Sequence, residues 1–439
     1  MNGLTIAAFG FAGMLGLMAI RMPVGLAMLV AGSAGYAYLG GVPVFLNYLK
    51  STPYYLFSNY TISVIPLFIM MGAFAERSGL ATDLFRTASN FVGHRRGGLA
   101  MAVIGACTAF GAICGSSVAT TATFGRAALP ELRRFNYGKG LSTGTIAVGG
   151  TLGILIPPSV ILVVYAITTE QNIAKLFQAA LIPGVLAALS YIAVIALVVR
   201  RDPGAGPAHP PVGWVERRSS LLRIWPAILV AVIVVGGIYG GIFTPTEGAA
   251  VGAVSMFAIG LLRGTLPWRE VRASLRQTAE TSAMIFLILL GAEVFNAFLA
   301  LSQLPAETAM LLADAALPPY LILALILVCY IVLGAVMDEL AMILLTLPVF
   351  FPIISALDFG MPPDDVAIWF GILVLMVVGI GLTAPPIGLN VFLISAIARD
   401  VPIAETYRGV MPFLAADLLR LVMVALFPVL ALALVHAFA

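Results

Sequence analysis

Apolar runs of about twenty residues recur along this 439-residue chain, and that is the length an α-helix needs to cross the hydrocarbon core of a bilayer. Segments 221–243, 282–301 and 413–438 are clear examples. With 61% hydrophobic and only 10% charged residues, against roughly 25% charged in a soluble domain, the chain has too little polar surface to cover itself in water. Strand-type alternation is absent, so the spans read as helices, not as a barrel. The first run, 4–20, lacks a basic n-region and a small-residue cleavage site. It reads as a retained helix and not as a signal peptide.

Charge placement gives the topology. Arginine and lysine gather in 77–96, 126–139, 200–223, 263–276 and 399–408, whereas acidic residues without basic company mark the Glu307/Asp314 and Asp358/Asp364/Asp365 loops. The positive-inside rule places the first set in the cytoplasm and the second outside, with Lys50 as the basic exception outside. A conflict follows. The single apolar stretch 97–129 is flanked by basic loops at both ends, so one span would put them on opposite faces. A re-entrant hairpin entering from the cytoplasm and turning near Cys114, Gly115, Ser116 and Ser117 resolves it. In the second half, 317–357 lies between acidic loops and is expected to enter from outside, turning near Gly334 to Asp338. Opposed hairpins are the mark of an inverted repeat.

The expected fold is therefore an all-α polytopic membrane protein. It has inverted repeats, each with a re-entrant helical hairpin and a discontinuous helix. Residues 1–199 form the first half, with its hairpin at about 97–129 and a broken helix at 140–168. The Pro/Gly- and charge-rich stretch 200–223 is a cytoplasmic linker. Residues 224–439 form the second half, with a hairpin at about 317–357 and a broken helix at 367–398.

Each hairpin is followed by a run broken at a double proline, in GGTLGILIPPS (149–159) and GIGLTAPPIG (379–388), with Gly153 and Gly381 four residues before the first proline. Proline removes a backbone donor and clashes with the preceding turn, and glycine tolerates unwound geometry. Irregular backbone at membrane depth is tolerated only where it is buried in protein or lines a water-filled cavity. The freed carbonyls suit sodium, and a half-helix N-terminus suits an anionic group. One Pro-Pro is merely a kink; two, each downstream of a hairpin, are a pattern. Hydroxyls in membrane helices usually bond back to their own backbone, but Ser116, Ser117, Thr120 and Thr121 cluster at the first tip, where they are placed to face an ion or substrate. Asp338 and Glu339 sit at the second tip. Asp338 either shapes a cation site, bonds tip amides or couples protons, and a solvated pair is the plainer alternative.

Other features carry less. Cys107, Cys114 and Cys329 lie in apolar runs without CxxC or histidine partners and read as packing residues. His94, His209 and His436 are too dispersed for a metal site. Glu247, in TPTE, reads as a helix cap. No HExxH occurs, and no nucleophile and base converge, so an enzyme is excluded in favour of a transporter.

Together, CGSSVATTATFG, GILIPPS, GAVMDELAMILLTLPVFFP, GLTAPPIGLNVFL and RGVMPFL give a chain that resembles, over essentially its whole length, the large membrane subunit of the tripartite ATP-independent periplasmic (TRAP) transporters. The resemblance implies sodium-coupled symport by an elevator movement of a transport domain against a scaffold, in the bacterial inner membrane. It also implies a periplasmic substrate-binding protein delivering a small carboxylate-bearing molecule, and a separate small four-helix membrane subunit. The bilayer is the only other partner, with no nucleic acid, and sodium acts as coupling ion with no further cofactor. A stand-alone sodium-coupled carboxylate or ion symporter of related elevator fold is the alternative. Carried over, a first sodium site involves Ser116 and Ser117 with backbone at Gly153, Ile156 and Pro158. A second involves Gly334, Gly381, Ala384 and Ile387. The family commonly has threonine directly before the second Pro-Pro, where this chain has Ala384 preceded by Thr383. A carbonyl ligand survives that change; a hydroxyl ligand survives only if Thr383 substitutes. Substrate is expected between the tips, near Ser117, Thr120, Pro158, Asp338, Pro385 and Pro386.

Overall fold

The computed structural model describes residues 3–304, 307 and 317–438, so Asp314 of the acidic outer loop lies outside the described residues. Every regular element among them is helical. The first half comprises α1 (Gly3–Ala19), α2 (Val24–Gly40), α3 (Val42–Ser58), α4 (Val64–Arg77), α5 (Leu80–Val92), α6 (Gly98–Cys114), α7 (Ser117–Arg134), α8 (Lys139–Leu155), α9 (Val160–Thr169) and α10 (Ile173–Arg201). After a loop come α11 (Trp214–Arg223), α12 (Trp225–Tyr239, with a π-turn at Val232–Gly236), α13 (Pro245–Leu262), α14 (Trp268–Leu301), α15 (Pro319–Gly334) and α16 (Glu339–Ala356). The chain finishes with α17 (Pro363–Gly381), α18 (Leu389–Ile397), α19 (Ile403–Leu426) and α20 (Val429–Ala437). Seven helices among the described residues are long and apolar enough to cross a membrane, or nine if each bent pair counts as one span.

The charge conflict across 97–129 is resolved by one strap of chain. Gly97 N–H donates to the Gly206 carbonyl at 2.8 Å, and Gly138 N–H donates to the Ala205 carbonyl at 2.8 Å. Both ends of the α6–α7 hairpin are therefore tied to adjacent residues of the same loop, on the same face. The other basic segments meet there too. Arg263 pairs with Asp83, Arg133 with Asp400, and Arg77 with Glu270 at 3.3 Å. In the second hairpin, Tyr320 at the start of α15 packs edge-on against Phe359, just past the end of α16, with ring centroids 5.5 Å apart. Its two ends likewise share a face.

Two layers result. Helices α1 to α4 and α12 to α14 form one, with α2 lying along α14 and α4 along α13. The other joins both hairpins to both broken helices. Helix α7 packs on α8 and on α18 of the opposite half, and α16 packs on α17 and on α9 of the opposite half. The two layers meet where α4 touches α6 and α9, and where α14 touches α16.

Several elements differ from the sequence reading for physical reasons. Helices α3 and α5 add to the expected spans; each interrupts the apolar runs with charge or proline, through Lys50 and Pro53 in α3 and Asp83 and Arg86 in α5. Helix α5 turns Leu80, Ala81, Leu84 and Phe85 inward and Arg86 outward. The linker contains α11, which exposes Trp214, and Trp225 at the start of α12 is exposed as well; tryptophan is enriched at membrane interfaces. The first hairpin extends to Arg134, five residues beyond the apolar stretch. Helix α14 is 34 residues long, about 50 Å at the α-helical rise, so its basic first turns stand clear of a ~30 Å hydrocarbon core. The final run is two helices, parted at Phe427 and Pro428. Glu247 caps α13 as expected: Thr244 N–H donates to its carboxylate at 2.8 Å, and Glu247 N–H donates back to Thr244 Oγ1 at 3.3 Å.

Candidate functional site

Proline fixes which backbone oxygens are freed. Pro157 and Pro158 have no N–H, so the carbonyls of Gly153 and Ile154 lose their donors four residues on. Pro385 does the same for Gly381. Helix α8 ends at Leu155 and α9 restarts at Val160 with its axis turned by 42°; α17 ends at Gly381 and α18 begins at Leu389. Both Pro-Pro bonds are cis.

Each break is packed against its own hairpin at a glycine. A Cβ added to Gly153 would lie 2.7 Å from the Ser116 carbonyl oxygen and closer still to Thr120 Oγ1. One added to Gly381 would lie 2.6 Å from the Gly334 carbonyl carbon. No larger residue permits either approach. The structure thus brings together the backbones of Ser116, Gly153 and Pro158 at the first break, where a Cβ on Gly115 would lie 2.9 Å from the Pro158 carbonyl oxygen. At the second it brings together Gly334 and Gly381. Ile156 is buried beside the first break.

The hydroxyls are placed differently from the sequence expectation. The tip is only Gly115 and Ser116, and Ser117 already begins α7. Ser116 Oγ caps that helix, accepting from Ala119 N–H at 3.4 Å. Ser117 and Thr120 are fully buried; Thr120 Oγ1 donates to the Ser116 carbonyl at 2.7 Å. Thr383 donates back to the Ile380 carbonyl at 3.1 Å. Ala384 is buried, its N–H donating to Ile380. The Ile387 and Pro386 carbonyls both accept from Tyr407, at 2.6 and 2.9 Å. Pro385 and Pro386 are exposed and do not line the cavity described next.

That cavity, of about 440 Å³, lies where the two layers meet. It is lined by Gly115 and Ser116 of the first tip, Asp338 and Glu339 of the second, Val160 and Ile161 after the first break, Gly72 and Glu76 of α4, and Gln277 and Thr281 of α14. Of the residues expected to hold substrate, only Asp338 lines it. Asp338 caps α16, accepting from Leu340 and Ala341 N–H at 3.1 and 3.4 Å, and is itself exposed; bonding to tip amides is one of the roles left open by the sequence. Glu76 is paired with Arg126 of α7 at 2.9 Å. Among the described lining residues there are three carboxylates and no lysine, arginine or histidine. Helices α7, α9 and α16 all begin at this cavity, so three positive dipole ends converge on it.

Asn390, on α18, is a polar residue that the sequence reading does not assign to the site. It is fully buried and donates to Ser117 Oγ at 2.8 Å and to the Ala147 carbonyl at 3.0 Å. An amide alone in an apolar run just past a break was the available signal.

With this geometry in view, the comparisons are direct. A family model described as the DctM component of tripartite ATP-independent periplasmic transporters matches residues 11–430. The chain is 38% identical, over 86% of each sequence, to the C4-dicarboxylate TRAP transporter large permease protein of Pseudomonas aeruginosa. It is 29% identical over 95% of each to the sialic acid TRAP transporter large permease protein of Vibrio cholerae. The YdaH transporter of Alcanivorax borkumensis shares the fold, with a TM-score of 0.60 at 15% identity over 87% of this chain and 88% of that one. The match over nearly the whole length means that the chain belongs to the DctM family of large membrane subunits of tripartite ATP-independent periplasmic transporters.

Proposed function

We propose that this chain is the large permease subunit of a sodium-coupled secondary importer in the inner membrane. It would take a small carboxylate-bearing molecule from a periplasmic binding protein and work beside a separate small membrane subunit. The observation that carries this reading is the cavity where both hairpin tips and the first helix break face α4 and α14.

Its electrostatics support a coupling cation. An anionic cargo meets Asp338 and Glu339 with no lining cation beside them, Glu76 being paired with Arg126, so unaccompanied entry is repulsive. Sodium at the breaks removes that repulsion. The first site would use the Ser116 tip, Ser117, and backbone at Gly153, Ile156 and Pro158. The second would use Gly334, Gly381, Ala384 and Ile387, with Thr383 bonded back into its own helix. The cargo carboxylate would sit at the start of α9, because Asp338 already caps α16, Ser116 Oγ caps α7, and α9 has no side-chain cap. Transport then follows from movement of the hairpin layer past α4 and α14, in elevator fashion.

The test is uptake into proteoliposomes. Uptake is expected only when this chain, the small subunit and the loaded binding protein are all present, and only with a sodium gradient. Uptake by this chain alone overturns the reading in favour of a stand-alone symporter.

A further inference from the structure

The final apolar run holds a charged cluster that the cavity does not use. Asp417 and Arg420 lie one turn apart on α19, 1% and 4% exposed, with Arg420 Nη2 2.7 Å from Asp417 Oδ1. Tyr191 of α10, fully buried, donates its hydroxyl to Asp417 Oδ2 at 2.9 Å. With that proton committed, the Tyr191 oxygen is left to accept, and Thr151 Oγ1 of α8 lies 3.2 Å away, its single proton within reach of both that oxygen and the Val148 carbonyl at 2.7 Å. The Arg420 guanidinium also faces the Tyr191 ring, 5.7 Å from its centroid. Four side chains on three helices therefore form one chain of polar contacts, ending two residues before Gly153. Thr151 also borders the other broken helix, since a Cβ on Gly379 would meet it at 3.6 Å.

Such a pair is a poor way to add stability. Apolar residues of similar size generally do as well, and ionisable groups at membrane depth are costly unless they serve a function. What the pair does supply is direction. The guanidinium orients the carboxylate, the carboxylate orients the tyrosine hydroxyl, and the tyrosine oxygen then shares the Thr151 proton with the Val148 carbonyl.

We propose that Arg420, Asp417 and Tyr191 form a positioning relay that sets the backbone of the first helix break through Thr151. They touch neither cation nor cargo. The relay ties the last turn of α8 to α10 and α19, so that the freed Gly153 carbonyl faces the Ser116 tip. The inference rests on the cation-site reading above and deepens it by naming what holds that site in shape.

The experiment uses the purified full chain, with radioactive sodium as ligand and backbone hydrogen exchange as a second readout. Tyr191→Phe, which keeps the ring, is expected to raise the half-saturating sodium concentration about three- to tenfold, the scale of one lost hydrogen bond. It should also speed exchange over residues 150–156 with sodium absent, while exchange elsewhere stays as in wild type. Thr151→Val should reproduce both effects if Tyr191→Phe fails to fold, and Thr151→Ser, which retains the hydroxyl, should behave as wild type. Unchanged sodium affinity and unchanged exchange in both hydroxyl-deleting variants overturn the relay. So does a uniform rise in exchange across the chain, which marks a merely structural role. Absence of sodium binding in wild type overturns the cation reading instead, and exchange over 150–156 then decides the relay by itself.

Discussion

Gly153→Leu is expected to lower uptake by about two orders of magnitude, the scale of loss when reacting or binding groups are misplaced by an ångström. Even the first carbon of the new side chain would lie 2.7 Å from the Ser116 carbonyl oxygen, with Thr120 Oγ1 closer still. Both belong to the hairpin that faces the break, and the backbone has nowhere to retreat, because Gly111 approaches Leu152 and Gly153 from the other arm of the hairpin. The leucine must therefore push tip and break apart, separating the carbonyls proposed to share a cation. Gly381→Leu is expected to do the same against Gly334. The check is initial uptake rate in proteoliposomes, with monodisperse purification showing that the protein has folded. Wild-type rates in both variants contradict the assignment of the breaks as the coupling sites.

The largest expected loss of stability comes from Asp417→Ala. Removing the carboxylate leaves the guanidinium of Arg420, 4% exposed, without its counter-charge. Breaking a buried pair on one side costs about 3–5 kcal/mol. Removing both charges, with Asp417→Leu and Arg420→Met together, is expected to recover most of that loss, because the unpaired charge goes with them. Thermal unfolding in detergent measures the difference. A single variant that melts within a degree or two of wild type contradicts the burial and pairing described here.

These two predictions fall on residues that were unequally legible in the sequence. Gly153 and Gly381 stand at fixed spacing before paired prolines, and proline chemistry acts locally, so the breaks could be read from the chain itself. The hairpins were legible for a different reason. The basic residues flanking 97–129 cannot lie on opposite faces under the positive-inside rule, and the bonds of Gly97 to Gly206 and of Gly138 to Ala205 supply the structural counterpart. Asp417 and Arg420 escaped notice because two charges one turn apart barely dent the mean hydropathy of a long run. Their partner Tyr191 is 226 residues away in sequence. Asn390 escaped for the same reason, since its contacts to Ser117 and Ala147 cross between halves. The hydroxyls of Ser117 and Thr120 were read too literally. Helix α7 starts one residue sooner than a loop tip required, which turns them into the protein.

The polar inventory of the cavity was equally beyond reach of the sequence. Glu76 and Gln277 are remote from both hairpins in the chain, and only the meeting of α4 and α14 with the tips places them on its wall. That meeting supports the coupling argument: with Glu76 paired to Arg126, Asp338 and Glu339 have no lining cation beside them, and a bound cation would offset them when an anion enters.

The central claim is that a cation sits between a hairpin tip and a helix break. It is tested most directly by equilibrium binding of radioactive sodium to the purified chain, with no cargo and no partner present. The account predicts saturable binding, displaced by unlabelled sodium but not by potassium, and greatly weakened in Gly153→Leu. No saturable binding in the wild-type protein, or equal binding in that variant, would contradict it.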